Sequence, residues 1–178
     1  MWKSALAHPK LVFELGNPIS IRLLAAHLYY RALLAVPALV HSWLSSCKDR
    51  QLSSTLTTYT SQYFSPTIID VELAHIKGAA GQELADDNMS IKVAAAINEV
   101  MASYSVDEHQ LEIKLKIPPD WPLHKIEVRD LKRVGVDNER WRAWILAVQQ
   151  MIWSSVRTHI FLGLLSLHLT YPSEWPDN

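Results

Sequence analysis

Leu111-Glu112-Ile113-Lys114-Leu115-Lys116-Ile117 alternates apolar and charged residues without an error. Successive side chains of a β-strand point to opposite faces, so this stretch predicts a strand with one dry face and one wet face. Pro118-Pro119-Asp120-Trp121-Pro122 follows, and its three prolines lack the amide donor that would extend the ladder. Upstream, Ile91, Val93, Ala95 and Ile97 keep the same period of two, and after Asn98-Glu99 the phase moves to Val100, Ala102, Tyr104 and Val106. The shift predicts a bulge or bend at 98–99. Asp107-Glu108-His109 reads as a turn, Ile126 and Val128 as part of one more short strand, and the whole as a β-meander.

Beyond the strands the period lengthens. Asp137 or Asn138 can cap a helix whose apolar residues are Trp141, Trp144, Ile145, Val148, Met151 and Ile152, a stripe broad enough to cover one sheet face. The expected core is Leu111, Ile113 and Leu115 from the central strand with Trp141, Trp144, Ile145 and Val148 from this helix.

Before the strands the chain reads as helices. Asn17-Pro18 is a cap and first-turn signal, and Ile21, Leu24, Ala25, Leu28 and Ala32 then recur at helical spacing, with Arg22 and Arg31 left for solvent. Pro37 restarts a short helix carrying Leu39, Val40 and Trp43. Asp49 can cap another with Leu52, Leu56, Tyr59 and Tyr63 on one stripe. Ser65-Pro66 opens a fourth, with Ile69, Leu73 and Ile76 on one side and Gly78 placed to stop it. Successive helices with short joints predict the end of an α-solenoid, although no internal repeat is visible. Residues 78–88 are rich in small and acidic side chains and are read as a linker.

Composition narrows the chemistry. The chain has 178 residues, 49% of them apolar and 20% charged, with 17 basic against 18 acidic side chains. That is a folded chain whose bulk charge argues against nonspecific nucleic-acid binding. Cys47 stands alone, which excludes an internal disulfide framework and any zinc site built on several thiolates, and fits a reducing compartment. Met1 to Leu15 holds no signal-peptide core, and the apolar run Ile160 to Leu169 is well short of the roughly 20 residues that cross a bilayer. Neither secretion nor a membrane span is expected.

Reactive constellations are missing. Five glycines, at 16, 78, 81, 135 and 163, allow neither a phosphate-binding loop nor a dinucleotide fingerprint. The eight histidines are scattered, at 8, 27, 41, 75, 109, 124, 159 and 168. Cys47 beside Trp43 and Leu44 reads as packing in preference to a nucleophile. The carboxylate pairs Asp86-Asp87 and Asp107-Glu108 lie where solvation accounts for them. What remains is a basic group, Lys125, Arg129, Lys132, Arg133, Arg140 and Arg142, interspersed with Glu127, Asp130, Asp137 and Glu139. It reads either as a solvated mixed-charge face or as a docking surface for an acidic partner such as ribosomal RNA.

Several of these segments together resemble one family. Glu99-Val100-Met101-Ala102-Ser103-Tyr104, Leu111 to Ile117, Pro118-Pro119-Asp120-Trp121-Pro122-Leu123, Lys132-Arg133-Val134-Gly135-Val136 and Trp141-Arg142-Ala143-Trp144 look like the RWD domain of the listerins. These are RING-type ubiquitin-protein ligases of ribosome-associated quality control. Ala26-His27-Leu28-Tyr29-Tyr30 and Ser65-Pro66 resemble the end of the family's helical-repeat array, so the likeness spans residues 18 to 153.

The resemblance implies an α+β chain: a HEAT/ARM-like helical segment over 1–77, a linker over 78–88, and an RWD-like domain over 89–155. In that domain an antiparallel β-meander packs on a C-terminal helix. It also implies a cytosolic module that docks the ligase on the large ribosomal subunit, beside the factor that senses obstructed subunits, so that stalled nascent chains become ubiquitinated. RWD domains share the fold of ubiquitin-conjugating enzymes without their cysteine, and Cys47 lies upstream of the strands.

Two departures stand out. Trp121-Pro122 replaces the usual Tyr-Pro, and the later proline of that motif is missing. The family's RING finger, which holds two zinc ions and recruits a ubiquitin-conjugating enzyme, finds no match here. The chain is therefore expected to need no cofactor and to be inactive alone, with 156–178 a divergent, disordered or loosely packed tail; deleting 157–178 is expected to leave melting unchanged or to improve it. The competing readings are a generic RWD interaction scaffold and a divergent ubiquitin-conjugating enzyme using Cys47.

Overall fold

The computed structural model describes residues 18–78, 82, 85, 87–106 and 108–154. Four helices come first: α1 (Pro18–Ala35), α2 (Pro37–Ser46), α3 (Arg50–Tyr63) and α4 (Ser65–Lys77). Four strands follow, β1 (Met89–Ala94), β2 (Glu99–Val106), β3 (His109–Lys116) and β4 (Glu127–Val134), and α5 (Asn138–Ser154) closes the described chain. The strands form one sheet in the order β1-β2-β3-β4, every neighbouring pair antiparallel. The fold is the expected α+β arrangement, a helical segment followed by a meander with a covering helix.

The decisive strand behaves as its alternation demands. Leu111, Ile113, Leu115 and Ile117 are all buried, while Glu112, Lys114 and Lys116 face the other way. Register then fixes the neighbours, with Val100 opposite Leu115, Ala102 opposite Ile113 and Tyr104 opposite Leu111. The phase change at 98–99 is not a bulge within one strand. It is a complete reversal: a 3₁₀ turn over Ala95–Ile97 leads to Asn98 at φ 54°, and the chain returns as β2 with Glu99 opposite Ala94. Asparagine tolerates that left-handed backbone because its short polar side chain bonds locally. The alternation on both sides was legible, but a turn without glycine hid the hairpin.

β4 reaches further than the Ile126 and Val128 pattern predicts. It runs to Val134, with a register shift opposite Glu112/Ile113. As an edge strand it is dense in charge, a common protection against edge-to-edge pairing, and that density masks its alternation. Asp137 is the residue that caps α5: its carboxylate accepts from the Glu139 amide at 2.9 Å and its carbonyl from the Trp141 amide.

The helical expectations need correction on three stripes. In α1, Ile21 and Leu28 are 54% and 58% exposed and Ala25 is exposed as well. The buried side carries Leu33, with Ala26, Tyr29, Tyr30 and Leu34 packed against the core. Apolar residues occupy nearly the whole circumference of this helix, so spacing alone could not select the inward side. Phe64 selects it, with Tyr29 and Tyr30 each at 5.7 Å between ring centroids. In α3, Leu56 and Tyr59 pack against the core as read, but Leu52 and Tyr63 are exposed, and the fully buried residue is Thr60, whose hydroxyl donates to the Leu56 carbonyl and meets the Tyr29 hydroxyl at 2.8 Å. Burial raises the pKa of Tyr29, opposed by the bond to Thr60, and burial also raises that of Tyr30.

Other helical signals behave as read. The Asp49 carboxylate accepts the Leu52 amide at 3.0 Å. Ile69, Leu73 and Ile76 are buried on α4, and the Gly78 amide closes that helix onto the Ala74 and His75 carbonyls. The α2 stripe needs correction as well: Pro37 and Leu44 are buried and Val40 packs against the core, while Leu39 and Trp43 are exposed.

Helices and sheet share one apolar cluster, from Leu33 and Phe64 through Leu73 and Leu115 to Trp141 and Val148. α4 contacts β1, and α5 contacts β4. A polar joint adds to this. His41 on α2 donates from Nδ1 to the Leu123 carbonyl at 2.5 Å, which holds the imidazole against the Trp121-Pro122-Leu123 loop. Trp121, Pro122 and Leu123 are themselves buried, and the peptide bond before Pro122 is cis.

Candidate docking surface

The pleat that buries Ile113 exposes its neighbours. Val93, Val100, Leu115 and Val128 lie in one cross-strand row on the dry side, so Lys92, Met101, Lys114 and Arg129 share a row on the other. One step along, Ala94, Glu99, Lys116 and Glu127 form the next row. On the opposite flank lie Ser90, Ser103, Glu112 and Lys132. The outer face thus carries Lys92, Lys114, Lys116, Arg129 and Lys132 against Glu99, Glu112 and Glu127, an excess of positive charge on a chain whose total is −1.

Part of this charge is satisfied internally. Lys114 Nζ lies 3.3 Å from Glu99 Oε2. Arg129 donates twice to Glu127, at 2.7 and 3.0 Å. That two-pronged contact holds the Glu127 carboxyl below its ordinary pKa, and the carboxylate in turn raises that of Arg129. Both side chains are half exposed, where such pairs contribute little stability. Glu112 accepts from the Ser103 hydroxyl at 3.1 Å, and Lys132 donates to the neutral Gln110 side chain at 2.5 Å. Among the described residues Lys92, Lys116 and Lys132 form no salt bridge to a carboxylate.

The six basic residues singled out in the sequence do not form one patch. Arg129 and Lys132 lie on the outer face. Lys125 is exposed in the loop before β4, and the side chain of Arg140 lies outside the described residues. Arg133 lies on the other side of β4, across from Leu111, where it lines an open groove of ≈ 530 Å³ between β4 and α5 with Val128, Asp130, Trp141, Arg142 and Leu146. Trp141 is core, as expected, and its indole N–H donates to Asp130 Oδ2 at 2.8 Å, which ties the covering helix to the edge strand. Val148 is buried and Ile145 half-buried, while the Trp144 side chain lies outside the described residues.

Sequence reading missed Lys92, Lys114 and Lys116 as surface partners of Arg129. Their alternation was visible, but which strands adjoin was not.

Among the described residues the reactive groups do not converge. Cys47 caps α2, half-buried, with its thiol 3.5 Å from the Asp49 carbonyl. His124 pairs with Asp120 at 2.5 Å on the loop, its ring 6.4 Å from that of His41. No group of three or more His, Cys, Asp or Glu side chains that could hold a metal occurs among the described residues. The zinc ions of a RING finger do not fit this chain, since the cross-brace draws on several thiolates and the sequence supplies one. No single described helix is long and apolar enough to cross a membrane; α1 and α2 together have the length and composition, but the chain bends by 110° between them.

The fold and surface define a class: the end of a HEAT-type helical array carrying a module of the ubiquitin-conjugating fold. Comparison with known proteins agrees. A family model for the LTN1 family HEAT repeat region matches residues 8–77, and one for the ubiquitin conjugating domain-like fold matches residues 89–176. The E3 ubiquitin-protein ligase listerin of Schizosaccharomyces pombe is 35% identical over 153 residues, 83% of this chain and 10% of the relative. The listerin of Saccharomyces cerevisiae is 32% identical over 152 residues, and that of Gallus gallus 33% over 123 residues, 69% of this chain and 7% of the relative. The chain belongs to the listerin family of E3 ubiquitin ligases, and it spans about a tenth of the length of the first two of these relatives.

Proposed function

We propose that this chain is the segment by which a listerin-type ligase docks on the large ribosomal subunit, where the complete enzyme ubiquitinates stalled nascent chains. In this reading 1–77 ends the helical array and 78–88 links it to the RWD-like domain that begins at 89; the family match runs on to 176, past the boundary at 155 read from the sequence, and 156–178 lie outside the described residues. The setting is the cytosol, the neighbours are the subunit and the factor that senses its obstruction, and the ubiquitin-conjugating enzyme is recruited elsewhere in the ligase. The observation that carries the reading is the sheet's outer face: exposed on β1 and β4, half-buried at Glu99, Met101, Ser103, Glu112 and Lys114 in the middle, and cationic on balance.

The test is co-sedimentation with purified large subunits. The chain should pellet with them at low salt and be released as salt rises, and Lys132→Glu should weaken pelleting several-fold while leaving the circular dichroism spectrum unchanged. No pelleting at any salt would refute docking.

A second reading has one observation in its favour. The groove between β4 and α5 sets Arg133 and Arg142 beside the exposed Leu146, an amphipathic slot suited to a peptide. A generic scaffold of this kind would bind through the groove, so Arg142→Glu would abolish partner capture and leave subunit binding intact. A divergent conjugating enzyme would form a ubiquitin thioester at Cys47; the expected result is no adduct that hydroxylamine can cleave.

A further inference from the structure

We infer that the outer face of the sheet binds the phosphate backbone of double-stranded RNA, with Lys92, Lys116 and Lys132 as its contacts. This rests on the docking reading above and states the chemistry that the face recognises.

Three observations lead there. The first is what the face lacks. Of its fifteen paired positions across the rows of β1 to β4, none is aromatic; the larger aliphatic side chains are Met101 and Val134, and Leu131 is exposed at the register shift of β4. Protein interfaces take most of their affinity from aromatic, arginine and aliphatic anchors seated in desolvated pockets; among the described residues this surface has no aromatic ring and no pocket, and its arginine, Arg129, is already held by Glu127. Proteins that grip single-stranded nucleic acid stack its bases on aromatic rings, and that platform is missing as well.

The second observation is the state of the cations. Arg129 and Lys114 are already engaged by Glu127 and Glu99. Lys92, Lys116 and Lys132 make no salt bridge among the described residues and are exposed, although Lys116 lies in the row between Glu99 and Glu127 and helps to lower the Glu127 pKa. Lysine is a compact charge on a flexible stem, suited to phosphates that need no fixed bidentate geometry.

The third is their spread. Lys92 lies on β1, Lys116 on β3 and Lys132 on β4, so the charges span a sheet about 15 Å wide at ~4.8 Å per strand spacing. Double-stranded RNA is recognised by shape and by backbone contacts over such widths, whereas a short acidic peptide presents its charge along one line.

Fluorescence anisotropy of the full chain with a labelled RNA hairpin of about 16 base pairs tests this. Binding should be weak, indifferent to sequence, and steeply salt-dependent, with a log–log slope near −2.7 for three phosphate contacts at ~0.9 each. The variant carrying Lys92→Glu, Lys116→Glu and Lys132→Glu should lose at least tenfold in affinity. The milder Lys→Gln triple variant should flatten the slope toward zero while melting like the parent. An unchanged slope in that variant would overturn the proposal, as would equal binding of the parent chain and the Lys→Glu variant.

Two further arms separate the sources. Pelleting with phosphatidylserine vesicles, without RNA binding, would assign the face to a membrane and overturn the inference. Subunit pelleting that survives the triple substitution, with no RNA binding, would leave docking standing on a protein contact and sink the RNA inference alone. RNA binding without subunit pelleting would support the inference and remove the docking reading.

Discussion

The two faces of the sheet are made by the same strands and do opposite things. On the inner face Leu111, Ile113 and Leu115 are each at most 5% exposed and meet Val100, Ala102 and the helices. On the outer face, one residue away along each strand, Lys114, Lys116, Arg129 and Lys132 are solvated or paired with carboxylates. Stability resides in the first face because burial of apolar area scales with the surface removed from water. The second contributes little to holding the chain folded, since exposed ion pairs are screened and cost side-chain entropy. A surface with small structural duties is free to carry a recognition function, and that is the lesson of the contrast.

The largest effect that would test it is Leu115→Ala. Leu115 is fully buried between Val100 and Val128, so truncation should cost about 3 kcal/mol, within the range of buried leucine truncations. Urea denaturation measures it, and a loss under 1 kcal/mol would mean that the inner face is not the core. Trp141→Phe comes next. It keeps most of the buried ring and removes the 2.8 Å bond to Asp130, which should cost about 1 kcal/mol and be largely abolished in an Asp130→Ala background.

On the outer face, Glu99→Gln breaks the pair with Lys114, in which the lysine and glutamate side chains are only 23% and 17% exposed, and should shift stability by under about 1 kcal/mol. Acidification gives the smallest effect. The Glu127 carboxyl has a folded pKa below its unfolded one, so its pairing is present above the unfolded value of about 4.5 and is lost as pH falls through the lower folded value. NMR should show the Arg129 side chain released over that range without cooperative unfolding. Unfolding coincident with that release would erase the distinction between the faces.

How far the sequence could be read differs by element, for physical reasons. β3 was fully legible because strict alternation has one solution for burial. α4 was legible because its apolar residues occupy one side and its stop, Gly78, follows directly. α1 was not: Ile21, Leu28, Tyr29, Tyr30 and Leu33 cover most of its circumference, and the choice among sides belongs to Phe64, a residue more than thirty positions away. The hairpin at Asn98 escaped because its turn lacks the glycine that usually marks a left-handed position. In the candidate surface, the basic residues near β4 were visible as a linear group, yet strand register divides them between two sides and recruits Lys92 and Lys116 in place of Arg133 and Arg142.

The amino-acid sequence by itself determined the dry face of the central strand, the cap at Asp49, the narrowing of the last cap to Asp137 or Asn138, and the scarcity of groups able to react or hold zinc. These follow from local periodicity, from side chains bonding their own backbone, and from composition. Only the tertiary structure decided which side of each helix turns inward, where the chain reverses between β1 and β2, and which cations become neighbours. Those depend on contacts between residues far apart in the chain, and no local pattern encodes a cross-strand row.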